Sequence, residues 1–316
     1  KAQAQAAWPA LAQAAGLPAC GQAMDILLLQ TNPRDPRAVL SIRGPGHGGL
    51  VLKHGPGETE GWFDSQVAAY RRAEAAFAGA CDLGVSRLVA ADRARRALLM
   101  ELVPGQTVQA AMERADGARR LEILGACGRW MGHLHRSGGT KPGRHQPDQL
   151  LARIGQWERR IADGRLDVPD RGGFLDLAAR TRAWADATRT VETTRVAVHG
   201  DMGLHNIMVD GDRIYGIDFG TLEYRPPATD IARLLTWHET YFGPVDGDPV
   251  DAPDAARAAV LDGHGGAWTA PSELDYLMAG ELLRLWRSVP ASRLRRGWFH
   301  RRRWKGVRRM VERLRV

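Results

Sequence analysis

The segment VAVHGDMGLHNIMVDGDRIYGIDFG, residues 196–220, constrains the fold more than any other stretch of the chain. It reads as strand, loop, strand, loop. The apolar runs Val196-Ala197-Val198, Ile207-Met208-Val209 and Ile214 to Ile217 have strand length, and turn residues separate them. The loop after the first run holds His199, Gly200, Asp201, His205 and Asn206, and the last run ends in Asp218-Phe219-Gly220. An acid, an amide five residues on and a second acid seventeen residues after the first therefore fall in loops and at strand ends.

Those residue types suit phosphoryl transfer. The reaction asks little covalent work of a protein, which must align a hydroxyl with the γ-phosphate and neutralise the phosphate oxygens. Mg²⁺ wants hard oxygen ligands, mostly waters and phosphate oxygens with one or two carboxylates. Asp218 is the natural carboxylate ligand, and Asn206 offers an amide oxygen without further negative charge. Asp201 is placed to accept or orient the proton of the acceptor hydroxyl. A bracing role for the His199 ring and a hydrogen-bonded structural role for His205 are expected. Taken singly, His-Gly-Asp marks a turn and Ile-Asp-Phe-Gly the end of a strand; the joint spacing carries the reading.

The pattern His199-Gly200-Asp201, Asn206, Ile217-Asp218-Phe219 and Asp230-Ile231-Ala232 resembles the aminoglycoside phosphotransferase and choline kinase-like family of the protein-kinase-like fold. The resemblance implies an α+β, two-lobed architecture: a small antiparallel-sheet N-lobe over residues 1–102 and a larger, mainly helical C-lobe over 103–316. It makes Asp201 the base and Asn206 and Asp218 the Mg²⁺ ligands. It makes Asp230 a structural carboxylate that opens a helix and bonds the catalytic loop. Asp230 follows Asp218 by only twelve residues, which leaves no room for the activation segment of an ordinary protein kinase.

Upstream, Leu50-Val51-Leu52-Lys53 is an apolar strand ending in a lysine that, by resemblance, meets the α- and β-phosphates of ATP. A helix is expected over Phe63 to Ala80, where Val67, Tyr70 and Phe77 recur at helical spacing; by resemblance Glu74 in it pairs with Lys53, against the rival of a solvated glutamate beside Arg71 and Arg72. Leu98-Leu99-Met100-Glu101-Leu102-Val103-Pro104-Gly105 resembles the hinge that binds adenine. The Glu101 carbonyl and Val103 N–H are the expected contacts, with Met100 lining the pocket. Leu121 to Arg136 is expected to be the first long helix of the C-lobe. The link 31–37, between strands expected at Asp25 to Gln30 and Ala38 to Arg43, lacks the glycine of a phosphate-covering loop. The glycines of Gly44 to Gly49 read as the next hairpin turn.

Charge is uneven. Residues 284–316 carry thirteen Arg and Lys against Glu312, whereas the rest of the chain has 31 basic and 35 acidic residues. This basic, tryptophan-bearing tail fits an anionic membrane surface, an anionic substrate, or a final helix with solvated arginines. No nucleic acid is expected, because no binding motif accompanies the charge. Residues 238–264 are acidic and read either as a solvated loop or, as the family resemblance implies, as a loop that holds a cationic acceptor, and Lys141 to Asp170 reads as a second candidate lid. The three cysteines lack metal spacing and read as small buried residues of a reducing, cytoplasmic setting. Residues 1–19, Ala- and Gln-rich, are expected to be helical and show no signal-peptide core.

The expected function is ATP- and Mg²⁺-dependent phosphorylation of a hydroxyl on a small molecule that is aminoglycoside-, amino sugar- or choline-like. A lipid-linked or lipopolysaccharide sugar at the inner membrane face is the alternative acceptor. A non-catalytic module that binds nucleotide or a partner is the other class, opposed by the joint presence of Lys53, Asp201, Asn206 and Asp218.

Overall fold

The computed structural model describes residues 1–316 except 33–35, 45–46, 244–252, 266–269, 295–296 and 315–316; the side chains of residues 253 and 299 are also outside the description. The elements in chain order are α1 (Ala2–Ala14), β1 (Ala23–Gln30), β2 (Arg37–Arg43), β3 (Leu50–His54), α2 (Glu60–Ala76), β4 (Leu83–Val85), β5 (Leu88–Asp92), β6 (Ala97–Glu101) and β7 (Gln106–Thr107). Then come α3 (Val108–Met112), α4 (Gly117–Ser137), β8 (Lys141–Arg144), α5 (Asp148–Ala162), α6 (Arg171–Thr188), β9 (Glu192–Ala197), β10 (Ile207–Asp210), β11 (Arg213–Gly216) and β12 (Tyr224–Arg225). The helices α7 (Ala228–Phe242), α8 (Pro253–His264), α9 (Pro271–Trp286) and α10 (Trp298–Arg313) follow. The fold is the α+β, kinase-like one, with a small antiparallel sheet toward the N-terminus and a mainly helical C-terminal part.

The chain divides into two compact units, Lys1–Gln106 with Asn206–Leu222, and Thr107–His205 with Glu223–Val316. This differs from a single cut at residue 102. The β10–β11 hairpin belongs to the first unit because β11 runs parallel to β4, with Ile214 opposite Leu83 and Gly216 opposite Val85. Asn206 and Asp218 therefore sit in the first unit and Asp201 in the second.

In the first unit the five-stranded sheet has the order β1-β2-β3-β6-β5. Its apolar face packs Leu40, Ile42, Leu50, Leu52 and Leu99 against Trp8, Leu11 and the small Ala4 and Ala7 of α1. Helix α2 starts before Phe63 because the Thr59 hydroxyl caps it, accepting the Trp62 N–H at 3.3 Å. It ends at Ala76, ahead of Gly79 at φ +84°. Its buried face is Phe63, Gln66, Ala69, Tyr70 and Ala73, a helical stripe that points Glu74 elsewhere.

In the second unit α4 is capped by Asp116, whose carboxylate accepts the Arg119 N–H at 2.8 Å. Gly128 and Gly132 of α4, and Gly263 of α8, each face the partner helix's backbone where a Cβ would clash. That close approach brings His264 onto His135. Residues 228–242 and 253–264 are thus helices rather than the loop expected across 238–264: Ala256, Val260 and His264 recur every fourth residue as a buried seam. The acids Asp246, Asp248 and Asp251 lie outside the described residues. The candidate lid 141–170 holds β8, paired with β9, and α5. The described part of the run Gly44 to Gly49 links β2 to β3, which pair antiparallel with Ile42 opposite Leu50.

The basic tail forms α10, which packs Trp304 against Trp286 and buries Val307, Met310 and Val311. Several of its cations are engaged internally. Arg303 donates to the Tyr241 hydroxyl at 2.9 Å and to Ser288 Oγ at 2.7 Å, Arg313 pairs with Glu239 at 2.6 Å and Arg302 with Glu113 at 3.0 Å. Among the described residues no helix is long and apolar enough to cross a membrane. Cys127 is buried as expected, and burial pushes its thiol up, but Cys20 and Cys81 are exposed and are not core residues.

Candidate active site

The first unit contributes a lysine, an acid and an amide. Lys53, the fourth residue of β3, is buried, and its Nζ lies 2.6 Å from Asp218 Oδ1. Asp218 follows the end of β11 at φ +61°, a left-handed conformation that is uncommon for a non-glycine residue and concentrates at functional sites. The Asn206 carbonyl accepts the Ile217 N–H at 3.0 Å, which continues the Ile207–Gly216 pairing by one step. Hairpin register thus sets Asn206 beside Ile217-Asp218, both at one end of β10–β11. A carboxylate and an amide there form a hard-oxygen donor set that fits Mg²⁺ carried by a polyphosphate. Among the described residues no three His, Cys, Asp or Glu side chains gather as a metal-holding group.

Tyr70 fixes this acid from α2. Its ring packs edge-on against Phe219, with centroids 5.3 Å apart, and its hydroxyl meets the backbone N–H groups of Phe219 and Asp218. Burial, and then the Asp218 charge, push the phenol well above its ordinary value, so it stays neutral.

The expected Lys53–Glu74 pair is absent. The Glu74 carboxylate accepts the backbone N–H of Leu88 instead, because Glu74 lies off the buried stripe of α2. The acid within electrostatic reach of Lys53, besides Asp218, is Glu58, two residues before α2. Burial raises the Glu58 carboxyl, while the charges of Lys53 and Arg37 and a hydrogen bond from Gln66 pull it back. Gln66, on the buried stripe, donates its Nε2 to Glu58 Oε1 at 3.3 Å.

At the expected hinge, Met100 is buried in β6 opposite Val51. The Glu101 carbonyl, expected to face adenine, already accepts the Ser86 hydroxyl at 2.7 Å, and the Glu101 carboxylate holds Arg87 Nε at 2.8 Å. Val103 is buried, and its N–H has no protein partner among the described residues, so it remains a donor for a planar base.

The second unit contributes Asp201 and its supports. Asp201 is half exposed, and Arg233 Nη1 lies 2.8 Å from its Oδ1. Arg233 Nε in turn contacts Glu281 Oε2 at 3.1 Å. Burial pulls the Arg233 guanidinium down, but the charges of Glu281, Asp201 and Asp230 more than offset it. His199 braces the loop as expected, its Nδ1 accepting the Asp201 N–H at 3.2 Å. His205 stacks near Trp237, with centroids 4.8 Å apart.

Asp230 has no solvent exposure. Its carboxylate accepts the N–H groups of His199 at 2.7 Å and Gly200 at 2.9 Å, and His135 Nε2 lies 3.1 Å away. His264 Nε2 sits 2.8 Å behind, on His135 Nδ1. Burial pushes the Asp230 carboxyl up, but the His135 hydrogen bond, the neighbouring His135 and His199 charges and the Gly200 N–H hold it below the usual range. Burial also lowers His264 to about 4, with His135 and Arg136 adding to the effect. Sequence reasoning missed Glu58, Gln66, Arg233 and Glu281, for which no spacing rule exists.

Solved structures share this fold. A choline/ethanolamine kinase family protein from Mesorhizobium loti is 16% identical, with 98% of this chain and 94% of that one covered and a TM-score of 0.62. A glucosamine kinase in complex with glucosamine, ADP and inorganic phosphate is 15% identical, covering 96% and 84%, at 0.62. An aminoglycoside-3'-phosphotransferase of type VIII is 21% identical, covering 89% and 99%, at 0.56. A comparison with curated protein sequences finds no match. The profile of the phosphotransferase enzyme family matches residues 35–274, more than half of the chain, and the protein belongs to that family.

Proposed function

We propose that this kinase transfers the γ-phosphoryl group of Mg-ATP to a hydroxyl of a small, polyhydroxylated molecule. The observation that carries the reading is the Lys53–Asp218 contact of 2.6 Å, made by residues 165 apart, with Asp218 in a left-handed conformation. Lys53 meets the phosphates, Asn206 and Asp218 hold the metal, and Met100 and the Val103 N–H receive the base. Asp201 takes the hydroxyl proton. The acceptor oxygen gains the phosphoryl group, and the former β–γ bridging oxygen leaves with ADP. The metal supplies charge neutralisation at the phosphate oxygens.

The glucosamine kinase and the aminoglycoside phosphotransferase suggest a sugar-sized acceptor. A membrane-bound sugar is the second reading, favoured by Arg301, Lys305 and Arg308 on the exposed face of α10. The test is a thermal-shift measurement with Mg-ATP, followed by ATP turnover against amino sugars, choline-like amines, sugar phosphates and glycolipid cores in anionic vesicles. Stabilisation by Mg-ATP and turnover with one acceptor class are expected. No nucleotide response sinks the proposal.

Glu58 is the positioning residue we assign to Lys53. Glu58→Gln is expected to lower kcat/KM for ATP about tenfold, with the melting temperature little changed. Glu74→Gln should leave the kinetics intact and cost about 1 kcal/mol of stability, for the Leu88 N–H it leaves poorly satisfied. The opposite pattern restores Glu74 as the lysine's partner.

A further inference from the structure

The second unit holds a cavity of about 220 Å³ whose wall includes five arginines, Arg144, Arg153, Arg195, Arg225 and Arg284, against two carboxylates, Glu223 and Glu281. Both carboxylates are committed. Glu223 accepts Arg225 Nε at 2.7 Å, and Glu281 accepts Arg284 Nε at 2.7 Å besides its contact with Arg233. Among the described residues no carboxylate pairs with Arg144, Arg153 or Arg195. Arg284 Nη2 is buried and has no partner there either.

A second, independent group points the same way. His145 lines this cavity and is only 5% exposed. Its Nδ1 lies 2.8 Å from the Glu273 carboxylate, which also accepts Thr193 Oγ1 at 3.0 Å. Nδ1 therefore carries the proton, and Nε2, buried without a protein partner, is left to accept from a ligand hydroxyl. Buried polar atoms without partners are expensive unless something arrives to satisfy them.

The crowding of like charge is unfavourable in itself. Arg287 stacks on Trp157, a wall residue, at 5.2 Å from its ring. Burial lowers the Arg287 guanidinium, and Arg284, Arg160 and Arg153 lower it further. An anion in the cavity relieves that repulsion, and guanidinium forks suit phosphate or carboxylate oxygens. A cation meets the opposite field.

The cavity is linked to Asp201, the proposed base, through two ion pairs. Glu281 on its wall contacts Arg233, which contacts Asp201. Its volume lies below the roughly 300–1,000 Å³ of drug-sized pockets, so it suits one sugar ring rather than a multi-ring aminoglycoside. Near the other end of α7, Glu239 is buried and paired with Arg313.

We propose that this cavity is the acceptor site and that the acceptor is an anionic, hydroxyl-bearing monosaccharide, with its phosphate or carboxylate among Arg144, Arg153 and Arg195 and a hydroxyl on His145. The proposal rests on the kinase reading given above. The full-length protein is titrated by calorimetry with Mg-ATP, then with glucose 6-phosphate, glucuronate, inorganic phosphate, glucose and glucosamine. The same titrations are made on the double variant Arg153→Glu, Arg195→Glu. At least one anionic probe is expected to bind ten or more times tighter than glucose and glucosamine, and to lose that advantage in the double variant, whose Mg-ATP affinity is unchanged. Phosphate-bearing and carboxylate-bearing sugars separate the two anion types. Tighter binding of glucosamine, or anion binding indifferent to both substitutions, overturns the proposal. So does the absence of any anion binding in a protein that binds Mg-ATP. Failure of the wild type to bind Mg-ATP instead sinks the kinase reading.

Discussion

Asp201→Ala is expected to yield a folded protein that binds Mg-ATP and transfers phosphate at least a thousandfold more slowly. A thousandfold loss corresponds to about 4 kcal/mol of barrier. The fold should survive because Asp201 is half exposed, so the truncation leaves no large void. Arg233, which loses its contact with Asp201, keeps its contact with Glu281. Asp218→Ala should abolish transfer as well, by another route. It removes the proposed metal carboxylate and strips the buried Lys53 of the acid 2.6 Å away. Mg-ATP affinity should therefore fall more in Asp218→Ala than in Asp201→Ala. Rapid-quench turnover and calorimetric titration of both variants check this. Near-normal turnover in either variant removes that residue from the machinery, and the reverse order of nucleotide affinities undoes the division of roles.

Asp230→Ala is expected to destabilise the second unit by about 3–5 kcal/mol, the cost of removing one partner from a buried charged network. The carboxylate is fully buried and accepts from the backbone of His199 and Gly200 while facing His135. Its loss orphans the buried His199 N–H and the part-buried Gly200 N–H at the residues that lead into Asp201. Thermal denaturation should show a drop of roughly 10 °C, at about 2–4 °C per kcal/mol for a domain this size. A melting temperature within a degree or two of the wild type contradicts the structural role. The pH dependence has a definite sign. The Asp230 carboxyl is held below its unfolded value, so its contribution is complete above that value and is lost as pH falls through the folded one. His264, and His238 at about 4 through burial and the charges of Arg120 and Arg309, are depressed histidines. Each favours folding above the ordinary value of 6.5, and that support declines as pH falls from 6.5 toward 4. Stability should therefore begin to fall below about pH 6.5.

Much of the first unit was legible because its signals are local. Apolar runs marked β2, β3 and β6, helical recurrence found α2 and the family pattern found α4, with errors at the N-terminal ends that the caps Thr59 and Asp116 explain. The role of Asp230 on the His199-Gly200 backbone followed from the family pattern and is what the structure shows. The Glu74 expectation failed because a helix offset gives sequence distance but not which face is buried. The buried stripe runs through Gln66 and Tyr70, so Glu74 stays off it, and the acid that feels the Lys53 charge besides Asp218 is Glu58 in the preceding loop. Composition read 238–264 as an acidic loop because it ignored the four-residue recurrence of Ala256, Val260 and His264 against the glycines of α4.

The sequence by itself determined the chemistry class and the presence of several strands and helices, because apolar runs, helix period and the intervals from Asp201 to Asn206 and Asp218 are properties of a short stretch of chain. The tertiary structure decided which charges meet. Lys53 with Asp218, Arg233 with Asp201 and Glu281, and the arginines around His145 join residues 32 to 165 positions apart, or separate elements, and no local rule encodes those pairings. Only once burial and packing are fixed do some cations find partners, while Arg144, Arg153 and Arg195 have no carboxylate partner among the described residues.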